Sequence, residues 1–117
     1  MRPAGTVAEQ VAEQYLAGRG LKLITRNYSC RFGEIDLVME HAGECVFVEV
    51  RHRSDVRHGT PAATVSRAKQ QKILKCARHY LARIAHSDNT PCRIDVVGIT
   101  GVLDNPQIDW IRNAISA

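Results

Sequence analysis

The 117-residue sequence predicts an α/β domain in which a mixed central sheet is flanked by helices. Two segments have the apolar periodicity of amphipathic helices, and five shorter segments have the alternation and residue types of strands. These segments follow one another in the order α-β-β-β-α-β-β, so a helix lies between the third and fourth strands. The length is typical of one domain with its own core, and residues 1–117 are therefore predicted to form a single domain.

The first predicted helix begins with the spacing of a capping box, in which Thr6 is followed three residues later by Glu9. Its apolar stripe consists of Val7, Ala8, Val11, Ala12, Tyr15 and Leu16. Two glycines, Gly18 and Gly20, end the helix. The run "LKLITRNY" at 21–28 then predicts the first strand.

The second and third strands are predicted to form a hairpin. "EIDLVME" at 34–40 and "ECVFVEVR" at 44–51 both alternate, and "HAGE" between them suits a tight turn. If Ala42 and Gly43 form a two-residue turn, the numbers of directly opposed residues sum to 85. The face predicted to carry polar groups then contains Glu34, Asp36, Glu49 and Arg51, and the aliphatic residues of both strands lie on the other face.

The second half of the chain predicts a long helix between two further strands. The irregular segment 54–65 is predicted to be a mobile loop followed by a short helical turn. Ser66 is the predicted N-cap of a helix over 67–85. "RIDVVGIT" at 93–100 predicts a further strand, and "QIDWIRNA" at 107–114 predicts a last strand at the sheet edge.

Positive charge is concentrated in one part of the chain. The net charge is +4, but the segment from Arg51 to Arg83 holds nine Lys or Arg residues and one acid, a local balance of +8. Such segregation favours a polyanionic partner, because phosphate contacts supply most sequence-independent affinity for nucleic acids. The residues predicted to bind nucleic acid are Arg51, Arg53, Lys69, Lys72, His79 and Arg83.

Several classes of protein are disfavoured. No apolar stretch approaches the roughly 20 residues of a membrane span, and "MRPAGTVAEQ" lacks the apolar core of a signal peptide, so we expect a cytoplasmic protein. The cysteines at 30, 45, 76 and 92 contain no Cys-x-x-Cys pair, which argues against a zinc site. A cytoplasmic location argues against disulfides, and the cysteines are predicted to be small, partly buried hydrophobic residues.

The predicted hairpin register opposes two acids, Asp36 and Glu49. Two facing carboxylates repel each other unless something positive lies between them. A divalent cation is one solution, since Mg²⁺ binds through one or two carboxylates together with waters and phosphate oxygens. Pairing with Arg51 in a surface salt-bridge ladder is the other, and the spacing alone leaves both open.

The sequence resembles the YraN-type bacterial proteins, a small family similar to the archaeal Holliday-junction resolvases and to the PD-(D/E)xK nuclease superfamily. The resemblance is carried by "GEIDLV" at 33–38, "FVEVRHR" at 47–53, "ARHYL" at 77–81 and "RIDVV" at 93–97. Matching single residues are Gly5, Glu9, Ala12, Tyr15, Leu16, Gly20, Asn27, Gly59 and Lys69. The resemblance implies a restriction-endonuclease-like αβββαβ core and a structure-selective DNA endonuclease that hydrolyses phosphodiester bonds.

The resemblance also implies site residues and a cofactor. Asp36 and Glu49 are the implied metal ligands for Mg²⁺ or Mn²⁺, with Asp36 as the metal-binding aspartate and Glu49 as the acid of the Glu-x-Lys motif. Glu9 is similar to the additional acid of resolvase-like members, and its alternative is a purely structural role as capping partner of Thr6. The implied partner is branched or otherwise structured DNA, and a homodimer is a further expectation because resolvase-like relatives form two-fold dimers.

Position 51 departs from the motif, which has lysine where this sequence has Arg51. Arginine stays protonated and cannot act as a general base, but it can hold a phosphate oxygen. Lys69 is the candidate for a lysine supplied from elsewhere. The alternative function is a catalytically weak or inactive nucleic-acid-binding module of the same fold. Asp95 is expected to anchor Arg93 or Arg51, or else to orient a cation.

Overall fold

The structure, a computed structural model, describes residues 6–53, 64–84 and 90–116. Its elements are α1 (Val7–Ala17), β1 (Lys22–Cys30), β2 (Gly33–His41), β3 (Glu44–Arg53), α2 (Arg67–Arg83), β4 (Cys92–Thr100) and β5 (Gln107–Ile115). This is the predicted order, and each element overlaps the segment predicted for it. The loop predicted at 54–65 falls almost entirely outside the described residues, as does the predicted end of the second helix at residue 85.

The five strands form one mixed sheet in the order β1-β2-β3-β4-β5. Neighbouring strands are antiparallel except β3 and β4, which are parallel. Parallel neighbours need a crossover connection, and α2 lies in the segment that joins β3 to β4. The fold is therefore α/β, with the αβββαβ core that the resemblance implies and a fifth strand at the edge.

The hairpin between β2 and β3 has the predicted register. Ala42 and Gly43 have φ angles of +53° and +84°, the two positive values that a type I′ turn requires. Paired residues then run from His41 opposite Glu44 to Leu37 opposite Val48, so their numbers sum to 85 as expected. The two-residue length of the turn was therefore enough to predict which residues of β2 and β3 pair.

The prediction of one polar and one aliphatic face for this hairpin is wrong over most of its length. Val46 and Val48 pack with the side chains of α1, whereas Cys45 and Phe47 pack with those of α2. All four are buried. The second face is apolar because the crossover helix α2 covers it. Polar groups replace apolar ones on that face only from Glu49 onward.

Both helices begin with side-chain caps. The Glu9 amide donates to Thr6 Oγ1 at 3.1 Å and the Thr6 amide donates to Glu9 Oε1 at 3.2 Å, which confirms the capping box. The Lys69 amide donates to Ser66 Oγ at 3.1 Å, which confirms the predicted cap of α2. These caps fix where each helix starts, and therefore which side chains stand in its first turn.

The four cysteines are free thiols. Cys45 and Cys76 are buried, as predicted for small hydrophobic residues, but Cys92 is exposed. Among the described residues, no helix has both the length and the apolar character that crossing a membrane would require.

Candidate active site

The candidate site lies just beyond the last backbone pair of β2 and β3, where a side chain of β2 hydrogen bonds to the backbone of β3. The last paired residues are Leu37 and Val48. One residue further along β2, the carboxylate of Asp36 accepts a hydrogen bond from the Val50 amide, with 2.8 Å between Oδ2 and the nitrogen. Asp36 thus lies between the two strands, partly buried and fixed by the backbone of β3.

Glu49 completes a carboxyl pair with Asp36. Its side chain is only 4% exposed, although it is an acid, and it directly follows the buried apolar run of β3. The two carboxyl groups are close enough for each to affect the protonation of the other. Two cations face Glu49 Oε2: a terminal guanidinium nitrogen of Arg51 at 3.6 Å and Nζ of Lys69 at 3.9 Å.

Burial and mutual repulsion alter the protonation of the carboxyl pair. Burial, followed by the negative charge of Glu49, raises the pKa of Asp36 to about 8. Burial also raises the pKa of Glu49, although the positive charges of Lys69 and Arg51 oppose that shift. The pair therefore retains a proton near neutral pH unless a further cation displaces it.

Arg51 is held in two directions. One terminal nitrogen approaches Glu49, and the other donates to the carbonyl oxygen of Thr64 at 2.7 Å. Thr64 lies just before α2, so the guanidinium connects the end of β3 to the residues that lead into this helix. The side chain is 32% exposed, which leaves part of it open to solvent.

Lys69 reaches the acids from a different element. It is the third residue of α2, and the Ser66 cap fixes that first turn. The structure brings its Nζ within 3.9 Å of Glu49, so a lysine does stand beside the acid of the motif. Before the structure, only the family resemblance indicated Lys69 as this lysine. The sequence does not show which face of a helix packs toward a given strand.

Glu9 lies close to the carboxyl pair but has other partners. Its Oε1 accepts from the Thr6 amide and from Asn27 Nδ2, the latter at 3.1 Å. Its negative charge nevertheless contributes to the raised pKa of Asp36, so it belongs to the same electrostatic environment. The structure bears out its capping role, and its catalytic role stays a prediction.

The predicted nucleic-acid-binding residues follow two elements. Arg51 and Arg53 are on β3, where they and Thr64 line a surface cleft of about 260 Å³. The others form what we call the basic stripe of α2: Lys69, Lys72, His79 and Arg83. The stripe runs from Glu49 past the β1–β2 turn, since Lys69 contacts the acid and His79 hydrogen bonds with the Tyr28 hydroxyl.

Asp95 has a structural role instead of a place in the carboxyl pair. It is fully buried and accepts from Arg93 Nε at 3.1 Å, Trp110 Nε1 at 2.9 Å and the Asn113 amide at 2.9 Å. The expected anchor to Arg93 is confirmed. The two contacts from β5 were not predicted. The Asn113 contact depends on a bulge in which Asn113 has a φ of +51°, and the Trp110 contact depends on the pairing of β5 with β4.

The two carboxyl groups of Asp36 and Glu49 suit a hard divalent cation that takes only one or two ligands from the protein. The described ranges 6–53, 64–84 and 90–116 contain no group of three or more His, Cys, Asp or Glu side chains placed to hold a metal. Two carboxyl groups that repel each other are nevertheless what Mg²⁺ requires from a protein, since waters and phosphate oxygens complete its octahedron. The residues present thus fit a Mg²⁺ site shared with a phosphate, and do not fit a closed zinc site.

The raised pKa of Asp36 predicts a fall in stability with rising pH. Between pH 4 and 8 the folded protein binds a proton that the unfolded chain has released, so this contribution is lost as pH rises through about 8. We expect Asp36→Asn to have a higher melting temperature than wild type at pH 9, by about 5 °C, and a smaller difference at pH 6. Differential scanning fluorimetry from pH 6 to 9 measures it.

Asp109→Asn, at an exposed position of β5, is the matched control and should follow wild type at every pH. Parallel melting curves for Asp36→Asn and wild type would contradict the raised pKa.

The residues of the candidate site lie within the part of the chain that a family model matches. The model described as "Uncharacterised protein family UPF0102" matches residues 8–99, which include Glu9, Asp36, Glu49, Arg51 and Lys69. The chain belongs to this family.

Relatives of the UPF0102 chain match along nearly its whole length. A UPF0102 protein of Nitrosococcus oceani is 48% identical over 113 residues, covering 97% of this chain and 91% of the relative. One from Aeromonas hydrophila is 51% identical over 107 residues, covering 91% and 79%. UPF0102 protein NE0719 of Nitrosomonas europaea is 50% identical over 110 residues, covering 94% and 91%.

Among solved structures, the UPF0102 chain is similar to Pyrococcus furiosus SfsA in complex with Ca²⁺. The TM-score is 0.40 at 16% identity, and the alignment covers 93% of this chain and 62% of SfsA.

Proposed function

We propose that the protein is a Mg²⁺-dependent, structure-selective endonuclease that hydrolyses phosphodiester bonds in branched DNA. One observation carries this proposal: the partly buried carboxyl group of Asp36 and the buried carboxyl group of Glu49 lie together where β2 and β3 separate, with Lys69 and Arg51 beside Glu49. Burying like-charged acids side by side destabilises a fold, so a site that keeps them is a candidate for function.

The carboxyl pair would hold the metal. When bound there, Mg²⁺ or Mn²⁺ would activate water and neutralise charge on the phosphate being displaced. The protein's part is to present both acids deprotonated, which means that Asp36 must release its proton. The hydrogen bond from the Val50 amide favours that charged form and keeps the carboxylate aimed between the strands.

Together, Lys69 and Arg51 would take the two roles of the single lysine in the motif, which are to act on the attacking water and to bind the phosphate. Lysine can release its proton inside proteins and arginine effectively cannot, so Lys69 is the residue assigned to orient or deprotonate the attacking water. Arg51 has one terminal nitrogen committed to Thr64. Arg51 also lines the open cleft at the end of β3, where its guanidinium can bind a phosphate oxygen.

The direct test is cleavage by the purified protein. Four-way junction, flap and linear duplex DNA of equal length are incubated in Mg²⁺, Mn²⁺ or EDTA, and products are resolved on denaturing gels. We expect cleavage of branched substrates in either metal and none in EDTA. If no substrate is cut and calorimetry shows no Mg²⁺ or Mn²⁺ binding, the nuclease proposal fails.

The expectation of a homodimer is tested on the same sample. A two-fold dimer would present two carboxyl pairs to the two equivalent strands of a four-way junction. Sedimentation velocity with and without junction DNA distinguishes a dimer from a monomer.

A nucleic-acid-binding module without turnover is the second candidate, and Arg51 at the motif lysine position favours it. Basic residues alone would then provide affinity, through phosphate contacts that release counterions. This candidate requires DNA binding that persists in EDTA and weakens steeply with salt. Absent or salt-independent binding would remove it.

Substitutions at Lys69 and Arg51 separate the two candidates. We expect Lys69→Met to reduce the cleavage rate by about 100-fold, as for loss of a proton-transfer group. Arg51→Lys in the Lys69→Met background should restore part of that activity, since a lysine two residues after Glu49 again faces the acid. Single-turnover rates on flap DNA from pH 6 to 9 measure both effects.

Lys22→Met removes an exposed lysine of β1 and serves as the control for lost positive charge. If Lys69→Met and Lys22→Met cleave at the same rate, Lys69 has no part in the chemistry.

A further inference from the structure

The turn between β1 and β2 is fastened to the middle of α2. Cys30 Sγ lies 3.1 Å from Cys76 Sγ, and Cys76 Sγ lies 3.6 Å from the Gly33 carbonyl oxygen. Cys30 and Gly33 are themselves paired across the hairpin. The two residues of the turn, Arg31 and Phe32, are therefore held against the helix and do not project freely.

Phe32 forms one wall of an open cleft, which we call the Phe32 cleft. The cleft has a volume of about 380 Å³ and is lined by Phe32, Lys75, Arg78, His79 and Ala82. Its floor is mainly apolar, because ring carbons and the aliphatic parts of the basic side chains form it. The polar ends of Lys75 and Arg78 stand at its rim, where both residues are exposed.

The aromatic rings of the cleft are fixed in place. The His79 ring meets the Phe32 ring edge-on, with 6.2 Å between centroids, and His79 Nδ1 is in hydrogen-bonding contact with the Tyr28 hydroxyl. The Arg31 guanidinium carbon lies 4.9 Å from the centre of the Phe32 ring. A flat apolar surface is thus surrounded by positive groups.

We propose that the Phe32 cleft binds an unpaired nucleobase of the DNA, stacked on the Phe32 ring. A nucleotide has an aromatic base and an anionic phosphate. It therefore complements a cleft with an apolar floor and a cationic rim. Base stacking on aromatic rings and arginine is the usual way proteins hold single-stranded segments. The inference rests on the proposed DNA substrate and adds that the substrate must have a single-stranded part.

The position of the cleft relates it to the carboxyl pair. His79 follows Lys69 by ten residues on α2, which places it about 15 Å further along the helix axis. Between them the basic stripe supplies Lys72, whose Cβ packs near Gly33 at the turn. A DNA strand lying along the basic stripe would put one phosphate at Glu49 and a base a few nucleotides away at Phe32.

Substitutions of Phe32 test the stacking. We expect Phe32→Ala and Phe32→Leu to weaken binding of a splayed-arm DNA by about tenfold and Phe32→Tyr to leave it unchanged, because only the ring matters. Binding to blunt duplex DNA should change less than twofold in all three. Fluorescence anisotropy at several salt concentrations measures the affinities, and the salt slope should not change, because Phe32 contacts no phosphate.

A second experiment uses a series of splayed-arm DNAs in which a single abasic site stands at successive positions of the single-stranded arm. We expect the affinity of wild type to fall when the abasic site stands at one particular position. The affinity of Phe32→Ala should not fall at any position. Equal affinities for wild type, Phe32→Ala and Phe32→Leu would overturn the stacking site while leaving the nuclease proposal intact. Loss of duplex and splayed-arm binding by the same factor would also overturn it. If wild type binds no DNA of any form, both proposals fail together.

Discussion

Asp36→Asn and Glu49→Gln should each reduce Mg²⁺-dependent cleavage of branched DNA by about 1000-fold. Each change removes an ionisable carboxyl group from the pair while nearly keeping the shape of the side chain, so the pair can no longer present two carboxylates to a metal ion. Asp36→Asn would also keep an acceptor for the Val50 amide, which is 2.8 Å from Oδ2, so the strands should stay in place. Single-turnover rates on a flap or junction substrate, compared with wild type, measure the loss.

The two variants should bind DNA at least as tightly as wild type, since a carboxylate repels a phosphate when no metal lies between them. Asp109→Asn is the control for removal of an acid from the surface. Cleavage that survives both Asp36→Asn and Glu49→Gln would mean that the chemistry lies elsewhere. Lost cleavage together with lost DNA binding would indicate misfolding and calls for the melting curves of the same samples.

Asp95→Ala should be the most destabilising single substitution proposed for this chain, lowering the free energy of unfolding by about 3–5 kcal/mol. The Asp95 carboxylate is fully buried and accepts hydrogen bonds from Arg93, Trp110 and Asn113. Its loss leaves the Arg93 guanidinium, only 11% exposed, with Glu44 as its remaining acidic partner. It also leaves the Trp110 ring nitrogen and the Asn113 amide without this acceptor. Urea denaturation followed by Trp110 fluorescence measures the change.

Asp95→Asn keeps one acceptor oxygen and should lie between Asp95→Ala and wild type. Asp109→Ala, on the exposed side of β5, should change stability by less than about 0.5 kcal/mol. Equal denaturation midpoints for Asp95→Ala and Asp109→Ala would refute the anchoring role. Because Asp95 is not in the carboxyl pair, Asp95→Asn should keep its metal-dependent cleavage wherever it remains folded.

Local signals in the sequence were enough for the elements and for one register. Capping residues marked both helix starts, and a two-residue turn set the partners along β2 and β3. Both signals act over fewer than five residues, where backbone sterics and a single hydrogen bond decide the outcome. The opposition of Asp36 and Glu49 followed from that register before any tertiary contact was known.

The tertiary structure decided what surrounds those acids. The packing of the crossover helix decides whether the second face of the hairpin is exposed to solvent or buried. In this protein α2 buries that face, and Tyr80 of α2 contacts Phe47 of β3. The same packing brings Lys69 to Glu49 and Phe32 to His79. The bulge at Asn113 that completes the Asp95 anchor is likewise a product of pairing between β4 and β5.

The sequence alone therefore determined the order of the elements, the β2–β3 register and the two acids, because short-range geometry specifies each of them. The packing of the helices on the sheet sets which cations lie beside Glu49, raises the pKa of Asp36 to about 8 through burial, and places the aromatic ring of Phe32 beside the basic stripe. Those features depend on burial and on distances between residues that are far apart in the chain. No periodicity in the sequence encodes such distances, and only the packing of the helices on the sheet sets them.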